Sequence, residues 1–359
     1  MIFNLRCFGV RKKPLGDFAE FSTEKNLRLF SYNELRSATN NFCLSNKIGR
    51  GGFGSVYKGV LKNGTLMAIK VLSAQSKQGV NEFLTEIDVI TNVSHPNLVR
   101  LIGCCVQDTN RILVYEYVEN KSLDHALLGL NSEKYKLNWD IRSAICIGIA
   151  KGLAYLHEGD GPQIVHRDIK ASNILLDKNF LPKIGDFGLA KLFPDNVSHI
   201  VTQVAGTTGY LAPEYAMHGQ LTKKADIYSF GVLILEIVSG KSSSKPYWFE
   251  NDKLLLEWTW ELYEEGNLSE LIDPVLGDYP QEEVLRYIKV ALFCTQAAAG
   301  RRPSMPQVLQ MLCKPVILNE KELTKPGLIQ ELKSNASTSP VSIPGFTSSP
   351  LSFTEMFPR

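Results

Sequence analysis

The chain has 359 residues with 39 basic and 37 acidic side chains, which leaves a net charge of +2 at pH 7. This length suits two domains or lobes with tails, and it buries a sizeable core without help from disulfides or metal ions. The near-neutral charge disfavours a nucleic-acid partner, because nucleic-acid-binding domains usually carry a strong basic patch.

The first 13 residues are basic. They hold four basic side chains and no acidic one, so the remaining 346 residues carry a net charge of −2. Cys7 lies among these charges, which suits an acylated anchor in peripheral contact with the plasma membrane; a basic tail that stays in solution is the alternative. The seven cysteines lack metal-binding spacing, and no run of about 20 apolar residues occurs. We therefore expect reduced thiols, no transmembrane helix and a cytoplasmic location.

The predicted elements change in type along the chain. A short helix is expected at 32–40, because Ser31 and Glu34 have the spacing of a capping box. Residues 44–75 predict strands around a glycine-rich turn and the Asn63-Gly64 turn. Apolar residues at 79–92 repeat with helical spacing, strands return at 99–106 and 111–117, and the pattern beyond residue 120 is mostly helical.

These patterns predict an α+β protein in four parts. An N-terminal segment with one short helix covers 1–42, a β-rich part covers 43–119 and a mainly helical part covers 120–316. The remaining residues, 317–359, form a tail, in which 334–354 contain ten Ser or Thr and three Pro among 21 residues. Such a composition buries too little apolar surface to offset the entropy of ordering, so the tail is predicted to be disordered.

Residues 49–56 read GRGGFGSV and match the pattern G-x-G-x-x-G-x-V. Glycines let a hairpin backbone lie close to phosphates, where a Cβ would obstruct; an ordinary hairpin turn explains the motif alone equally well. Strand-like residues follow the glycines, whereas a dinucleotide-binding fingerprint runs from a strand into a helix. A dinucleotide oxidoreductase is therefore disfavoured.

Lys70 is the only charged residue at 67–72, within a predicted strand. Its ammonium suits the α- and β-phosphates of a nucleotide, with a helix carboxylate to hold it. Glu86 lies beside the apolar stripe of the following helix and suits that role. The alternative is an edge lysine in water.

Three further motifs follow in order: HRDIKASN at 166–173, DFG at 186–188 and APE at 212–214. A single Asp in a polar loop is usually solvated or caps a helix, but the shared order and the 18-residue step from Asp168 to Asp186 make chance a poor explanation. With this set the chain resembles the eukaryotic protein kinases over roughly 43–316. FSYxELxxATxxF at 30–42 and GTTGYLAPEY at 206–215 resemble plant receptor-like kinases. Without a predicted membrane span, the chain resembles receptor-like cytoplasmic kinases near the cold-responsive protein kinase group.

The resemblance implies a bilobal fold with ATP and two Mg²⁺ ions between the lobes. Asp168 then orients the substrate hydroxyl and accepts its proton, and Lys170 neutralises the γ-phosphate. Lys70 holds the α/β-phosphates and is fixed by Glu86, whereas Asn173 and Asp186 bind the metal ions. The residues that the resemblance places around ATP are Ile48, Gly49, Gly51, Gly52, Gly54, Val56, Ala68, Lys70, Tyr115, Glu116, Val118 and Leu176.

The resemblance also implies a regulatory pocket. Arg167 beside the catalytic aspartate makes a positive site. A phosphate on the activation segment, which lies between the DFG and APE motifs, fills this site through charge-assisted bonds. Thr202 and Thr207 are the leading candidates, with Thr208 and Ser198 behind them; ordinary loop hydroxyls are the alternative.

Two further matches to the family are structural. Asp226 resembles the aspartate that anchors the catalytic loop, and Arg302 resembles the arginine that pairs with Glu214. A buried pair of this kind is costly to break by removing one partner.

The sequence thus predicts a Ser/Thr protein kinase that transfers the ATP γ-phosphate to protein substrates in intracellular signalling. The position of Lys170 two residues after Asp168 resembles Ser/Thr rather than Tyr kinases. Activation-segment phosphorylation and an upstream receptor kinase are the expected control. The alternative is a pseudokinase scaffold that binds signalling partners. The enzyme is favoured because the key residues are intact, namely Lys70, Asp168, Asn173 and Asp186.

Overall fold

The computed structural model describes residues 27–51, 54–72, 77–91, 93–129, 135, 137–194, 197–243, 253–314 and 317–327, with the backbone alone at 77 and 78. The chain divides into two compact units. The first comprises the described residues up to 91 together with 100–117, and the second comprises 93–99 and the described residues from 118 onward. The predicted α+β class, β-rich first and mainly helical afterwards, is confirmed.

The first unit is built on one six-stranded sheet with the order β1-β5-β6-β4-β3-β2. Strand β1 runs parallel to β5, and the other neighbours are antiparallel. The Asn-Gly turn is present, with Gly64 at φ 82° between β3 and β4. The elements are β1 (Arg28–Leu29), α1 (Tyr32–Ala38), β2 (Lys47–Gly51), β3 (Gly54–Val60), β4 (Leu66–Leu72), α2 (Lys77–Ile90), β5 (Leu101–Gln107) and β6 (Asn110–Glu116).

Helix α1 covers one face of this sheet. Side chains alternate along β4, so Met67 and Ile69 point to the same face and pack in one buried cluster with Phe30 and Leu35. The helix begins as predicted, with the Glu34 amide donating to Ser31 Oγ (3.2 Å). The Glu34 carboxylate accepts from Arg28 Nη2 (2.7 Å), not from the backbone as a capping box requires.

Helix α1 ends at Ala38, two residues before the predicted end. Thr39 Oγ1 donates back to the carbonyl of Leu35 (2.8 Å), and Asn40 then has a positive φ of 51°. The left-handed residue terminates the helix, and the Thr39 hydroxyl satisfies a carbonyl of its last turn. Neither feature is visible in the sequence pattern from which the end is predicted.

Gly103 leaves the space that β1 occupies, because a Cβ there would lie 2.1 Å from the Arg28 carbonyl oxygen and 2.6 Å from the Phe30 ring. We expect Gly103→Ala to displace β1 and to lower the free energy of unfolding by roughly 1–3 kcal/mol, as overpacking does elsewhere. Chemical denaturation measures the change. Gly51→Ala is the matched control, since its Cβ would meet nothing within 4 Å; equal losses in both variants would contradict the role of Gly103.

The second unit is mainly helical and contains three two-stranded sheets, β10-β7, β11-β12 and β8-β9. Its elements are α3 (Leu123–Leu127), α4 (Trp139–Glu158), β7 (Ile164–Val165), β8 (Ile174–Leu176), β9 (Pro182–Ile184), β10 (Lys191–Leu192), β11 (Ile200–Val201), α5 (Pro213–His218), β12 (Gln220–Leu221), α6 (Lys223–Ser239), α7 (Leu255–Glu265), α8 (Gln281–Cys294) and α9 (Met305–Cys313).

Helix α6 forms the centre of the second unit. It begins after Thr222, whose Oγ1 accepts from the Lys224 amide (3.1 Å), and it ends at Gly240 in the left-handed conformation. All its residues from 225 to 239 are buried. The mostly apolar run at 230–238, in which Glu236 is the one charged residue, predicts such a core helix. Across the described part of the chain, no helix combines the length and hydropathy that a membrane span needs.

Residues 317–327 differ from the prediction of a disordered tail that starts at 317. They pack on the second unit, where Lys289 Nζ donates to Glu320 Oε1 (2.6 Å) and where Pro326 and Gly327 are buried. The Ser/Thr-rich composition that predicts disorder starts only near residue 334, outside the described residues.

Candidate active site

Lys70 and Glu86 meet in the first unit. Lys70 lies on β4 opposite Leu113 of β6, and Glu86 lies on α2 with its side chain fully buried. Lys70 Nζ donates to Glu86 Oε1, and the lysine side chain keeps an exposed fraction of 15%. The helix therefore holds the ammonium in place, while part of the lysine side chain stays exposed.

The glycine motif spans the hairpin of β2 and β3. Gly49 pairs with Val56, and Gly51 pairs with Gly54; Gly52 lies outside the described residues. A Cβ on Gly54 would lie 2.2 Å from the Val71 carbonyl oxygen, so the contact with β4 already requires this glycine. Gly51 has nothing within 4 Å, which leaves its face open to a ligand.

The other residues predicted around ATP are divided between the units. In the first, Ile48 is exposed on β2, and Ala68 on β4 faces Tyr115 of β6. Glu116 accepts from the Arg100 amide (2.9 Å) through its carboxylate. In the second unit Val118 and Leu176 are both buried.

In the second unit, Asp168 is the centre of a hydrogen-bonded group. Its Oδ1 accepts from Thr207 Oγ1 (2.7 Å), and its Oδ2 accepts from Asn173 Nδ2 (3.0 Å) and lies 2.9 Å from Lys170 Nζ. The structure thus brings together the predicted base, the predicted γ-phosphate lysine and one predicted metal ligand. Asp168 keeps an exposed fraction of 9%.

Thr207 occupies a different place from the one expected of a phosphorylation site. Lys170 Nζ donates to Thr207 Oγ1 (2.7 Å), and that hydroxyl donates in turn to Asp168. A phosphate on Thr207 would face the Asp168 carboxylate, and like charges at this distance repel. Thr208 and Ser198 are exposed on the same segment.

Asp186 follows Gly185, whose amide donates to the Asn173 carbonyl (2.9 Å), so the two predicted metal ligands belong to adjoining backbone. Phe187 is buried against the His166 ring, with ring centroids 4.9 Å apart. The Asn173 amide nitrogen donates to the Asp168 carboxylate. The Asn173 amide oxygen therefore lies near that carboxylate and can serve as a metal ligand. Both are ligand types that Mg²⁺ prefers, so these residues fit the ion.

Asp226 anchors the catalytic loop from helix α6. Its Oδ2 accepts from the His166 amide (2.8 Å) and from His157 Nε2 (2.9 Å), and its Oδ1 accepts from the Arg167 amide (2.8 Å). Burial opposes ionisation, but the bond to His157 and the nearby imidazoles outweigh it and lower the pKa of Asp226. His157 was missed from sequence, because its partner is 69 residues away.

Arg167 and Lys191 place two cations beside the activation segment. Arg167 Nη2 donates to the Gln203 carbonyl (2.8 Å), and Lys191 Nζ donates to Thr202 Oγ1 (2.7 Å). Burial and then the charge of Arg167 lower the pKa of Lys191. A negative charge on Thr202 would relieve this repulsion, so the geometry separates Thr202 from Thr207.

Arg302 and Glu214 form the predicted pair. Arg302 Nη1 and Nη2 donate to the two Glu214 carboxylate oxygens, each at 2.8 Å, and the arginine side chain has no exposed surface. Arg302 Nε also donates to the Gln296 carbonyl (2.7 Å). The pair fixes the start of α5 to the segment that follows α8.

Glu236 is a further buried acid that the sequence did not single out. Its Oε2 accepts from Tyr210 Oη (2.6 Å), and its Oε1 accepts from the Ser243 amide (2.7 Å). Burial raises the pKa of Glu236 to about 7 despite these bonds, and the Asp124 charge adds to the rise. Glu236 therefore connects the activation segment to the loop after α6.

This pKa predicts a pH dependence of stability. The folded protein keeps the Glu236 proton between pH 4.5 and about 7, where the unfolded chain has released it. The contribution of the raised Glu236 pKa to the free energy of unfolding is complete below pH 4.5, and it is lost as the pH rises through about 7. We expect the difference in unfolding free energy between wild type and Glu236→Gln to change by on the order of 3 kcal/mol over this range. Urea unfolding at acidic and alkaline pH measures it, with the exposed Glu264→Gln as control; parallel curves would contradict the prediction.

Comparison with known proteins agrees with this geometry. The protein kinase domain model matches residues 42–311, so the chain belongs to the protein kinase family. It is 54% identical over 325 residues to cold-responsive protein kinase 1 of Arabidopsis thaliana, covering 90% of this chain and 83% of that protein.

Longer relatives are also similar. Two probable LRR receptor-like serine/threonine-protein kinases of Arabidopsis thaliana are 50% and 54% identical over 328 and 284 residues, which is 91% and 79% of this chain. The chain spans only 32% and 27% of their lengths. The resemblance found in the sequence is confirmed: the chain is a Ser/Thr protein kinase. Protein kinase domains in general use ATP and Mg²⁺ to phosphorylate proteins.

Proposed function

We propose that Asp168 is the base that orients the substrate hydroxyl and accepts its proton. The Thr207 hydroxyl donates to Asp168 Oδ1 at 2.7 Å, which is the interaction that a substrate Ser or Thr hydroxyl requires. Asn173 and Lys170 hold the other oxygen, so the carboxylate is fixed before substrate binds. The three contacts of the Asp168 carboxylate, with Thr207, Asn173 and Lys170, are the observation that supports this proposal.

We propose that Asp186 and Asn173 hold two Mg²⁺ ions and that Lys70 contacts the α/β-phosphates. Bound Mg²⁺ supplies positive charge that offsets the charge developing on the transferred phosphoryl group. Lys170 adds a cation on the substrate side, close to Asp168. The chain's own residues thus position the two reactants and neutralise charge.

Incubation with Mg²⁺ and ATP tests these roles, with a generic peptide and wild type against Asp186→Asn. We expect phosphoserine and phosphothreonine from wild type and very little from the variant. ATP binding to wild type without any phosphate transfer would favour the pseudokinase scaffold instead.

We propose that phosphorylation of Thr202 activates the enzyme. The Thr202 hydroxyl already accepts a hydrogen bond from Lys191, and Arg167 donates to the carbonyl of the neighbouring Gln203. A phosphate there would gain charge-assisted bonds and would fix the segment beside the catalytic loop.

Thr202→Ala is expected to lower the activity of the phosphorylated enzyme to that of phosphatase-treated wild type. Phosphatase treatment should then leave the Thr202→Ala variant unchanged. Thr207→Ala should also lose activity, but Thr207→Ser should restore it, because Ser keeps the hydroxyl on Asp168. Full activation of Thr202→Ala would exclude this site.

We propose further that the kinase is a substrate of an upstream receptor kinase and that residues 1–13 bring it to the plasma membrane. Similarity to receptor-like kinases and the four basic side chains around Cys7 support this. Residues 1–13 lie outside the described residues. Fractionation of cells that express wild type or Cys7→Ser tests it, and equal membrane fractions would remove Cys7 from the proposal.

A further inference from the structure

Residues 323–327, which we name the C-terminal clasp, return to the second unit beyond the end of the kinase family match at 311. Thr324 Oγ1 donates to Gln296 Oε1 (3.1 Å), and Pro326 forms an antiparallel bridge with Gln296. Tyr228 Oη donates to the Gly327 carbonyl (2.8 Å). The clasp is therefore held by α6 and by the segment that follows α8.

Gly327 lies directly against the start of α5. A Cβ at this position would lie 2.6 Å from Pro213 Cγ and 3.0 Å from Ala297 Cα. Neither neighbour moves aside easily, because Pro213 is a closed ring at the first position of the helix and the Ala297 atom belongs to the backbone. The clasp thus forms part of the surface that supports α5.

The clasp shares its partners with Arg302. The Tyr228 ring that holds the clasp lies 5.0 Å from the Arg302 guanidinium. Gln296 accepts from Thr324 through its side chain and from Arg302 Nε through its carbonyl (2.7 Å). A shift of the clasp would therefore reach the arginine that holds Glu214 on α5.

Helix α5 is in turn tied to the catalytic loop. Tyr215 Oη accepts from Arg167 Nε (3.0 Å) and from the Ala205 amide (3.0 Å). Ala205 is two residues before Thr207, which donates to Asp168. The same helix thus holds the residue next to the base and the activation segment.

We propose that the C-terminal clasp is a positioning element for protein phosphorylation. Through the contact of Gly327 with Pro213, the clasp fixes the position of α5. Through Tyr215, helix α5 in turn fixes the activation segment, on which Thr207 donates to Asp168. The clasp contains none of the residues assigned above to nucleotide, metal or substrate. Its loss therefore impairs transfer to a protein more than hydrolysis of ATP by water, a reaction that does not require a peptide on this segment.

Gly327→Ala in the full chain tests the proposal, with Gly300→Ala as the matched control, because a Cβ on Gly300 meets nothing within 4 Å. We expect Gly327→Ala to lower kcat/KM for a peptide at least fivefold, mainly through a higher peptide KM. ATP hydrolysis without peptide should stay within twofold of wild type. Amides of α5 should exchange hydrogen faster, and Gly300→Ala should match wild type in every respect.

Thr324→Val provides a second variant, because it removes the bond to Gln296 without adding bulk, and it decides the matter if Gly327→Ala does not fold. The proposal would be overturned if peptide phosphorylation and ATP hydrolysis fell equally and in proportion to the folded fraction. It would also be overturned if both variants kept wild-type kinetics and wild-type hydrogen exchange. The kinetic split rests on the kinase activity proposed above. If wild type itself phosphorylates no peptide, that activity fails, and exchange at α5 still decides whether the clasp supports the helix.

Discussion

Asp168→Asn is expected to lower the turnover number for peptide phosphorylation by about 10²–10⁴-fold, the usual contribution of a positioned base. The amide keeps the shape of the carboxylate but loses its charge and its ability to take a proton. Asn173 and Lys170 direct donor groups at Oδ2, and Thr207 directs its hydroxyl at Oδ1. Because an amide has only one acceptor oxygen, at least one of these donors would face the amide nitrogen. Steady-state kinetics with a peptide and Mg²⁺-ATP measure the loss.

The control for Asp168→Asn is ATP affinity measured on the same protein. The Asp168 carboxylate contacts Thr207, Lys170 and Asn173 in the second unit, so the affinity should change much less than the turnover number. Asp177→Asn is a matched variant on an exposed turn, where the carboxylate accepts only backbone amides among its described contacts. Turnover by Asp168→Asn within tenfold of wild type would remove Asp168 from its role as base.

Arg302→Met is expected to have the largest effect on stability, a loss of about 3–5 kcal/mol in the free energy of unfolding. The variant leaves the Glu214 carboxylate without its bidentate partner and deprives the Gln296 carbonyl of a donor. Glu214 has an exposed side-chain fraction of only 17%, so water replaces these bonds poorly. Denaturant unfolding at neutral pH measures the loss.

Arg301→Met is the matched control, because Arg301 is the exposed neighbour of Arg302. A surface change of this kind usually alters stability by no more than about 0.5 kcal/mol. The double variant Glu214→Gln, Arg302→Met should recover part of the loss, because it removes the uncompensated charge. Similar stabilities for Arg301→Met and Arg302→Met would show that the pair contributes little.

Several features of the kinase followed from sequence because they depend on local chemistry or on one dominant periodicity. The start of α1 depends on a hydrogen bond between residues only three apart, from the Glu34 amide to Ser31 Oγ. The burial of α6 follows from a mostly apolar run at 230–238, in which Glu236 is the one charged residue. The pairing of Lys70 with Glu86 was also anticipated, since a lone cation on a strand and a carboxylate beside an apolar helical stripe point to each other once the family is recognised.

Contacts between distant residues that the family resemblance did not supply could not be derived from the sequence. His157 meets Asp226 across 69 residues, and Tyr210 meets Glu236 across 26. His157 does not stand out in its own stretch of sequence, and Tyr210 belongs to the motif at 206–215 without any indication of its partner. Their partners are set by how α4, α6 and the activation segment pack, which apolar periodicity does not specify.

The sequence by itself determined the family, the order of the catalytic motifs and the residue types that handle phosphate, because these are local patterns with fixed spacing. The tertiary structure gives Thr202 and Thr207, which are both loop hydroxyls in the sequence, different surroundings. It places one beside the cations Lys191 and Arg167 and the other on the Asp168 carboxylate. The tertiary structure also turned residues 323–327 from a predicted tail into a clasp, because the burial of Gly327 depends on Pro213, 114 residues earlier in the chain.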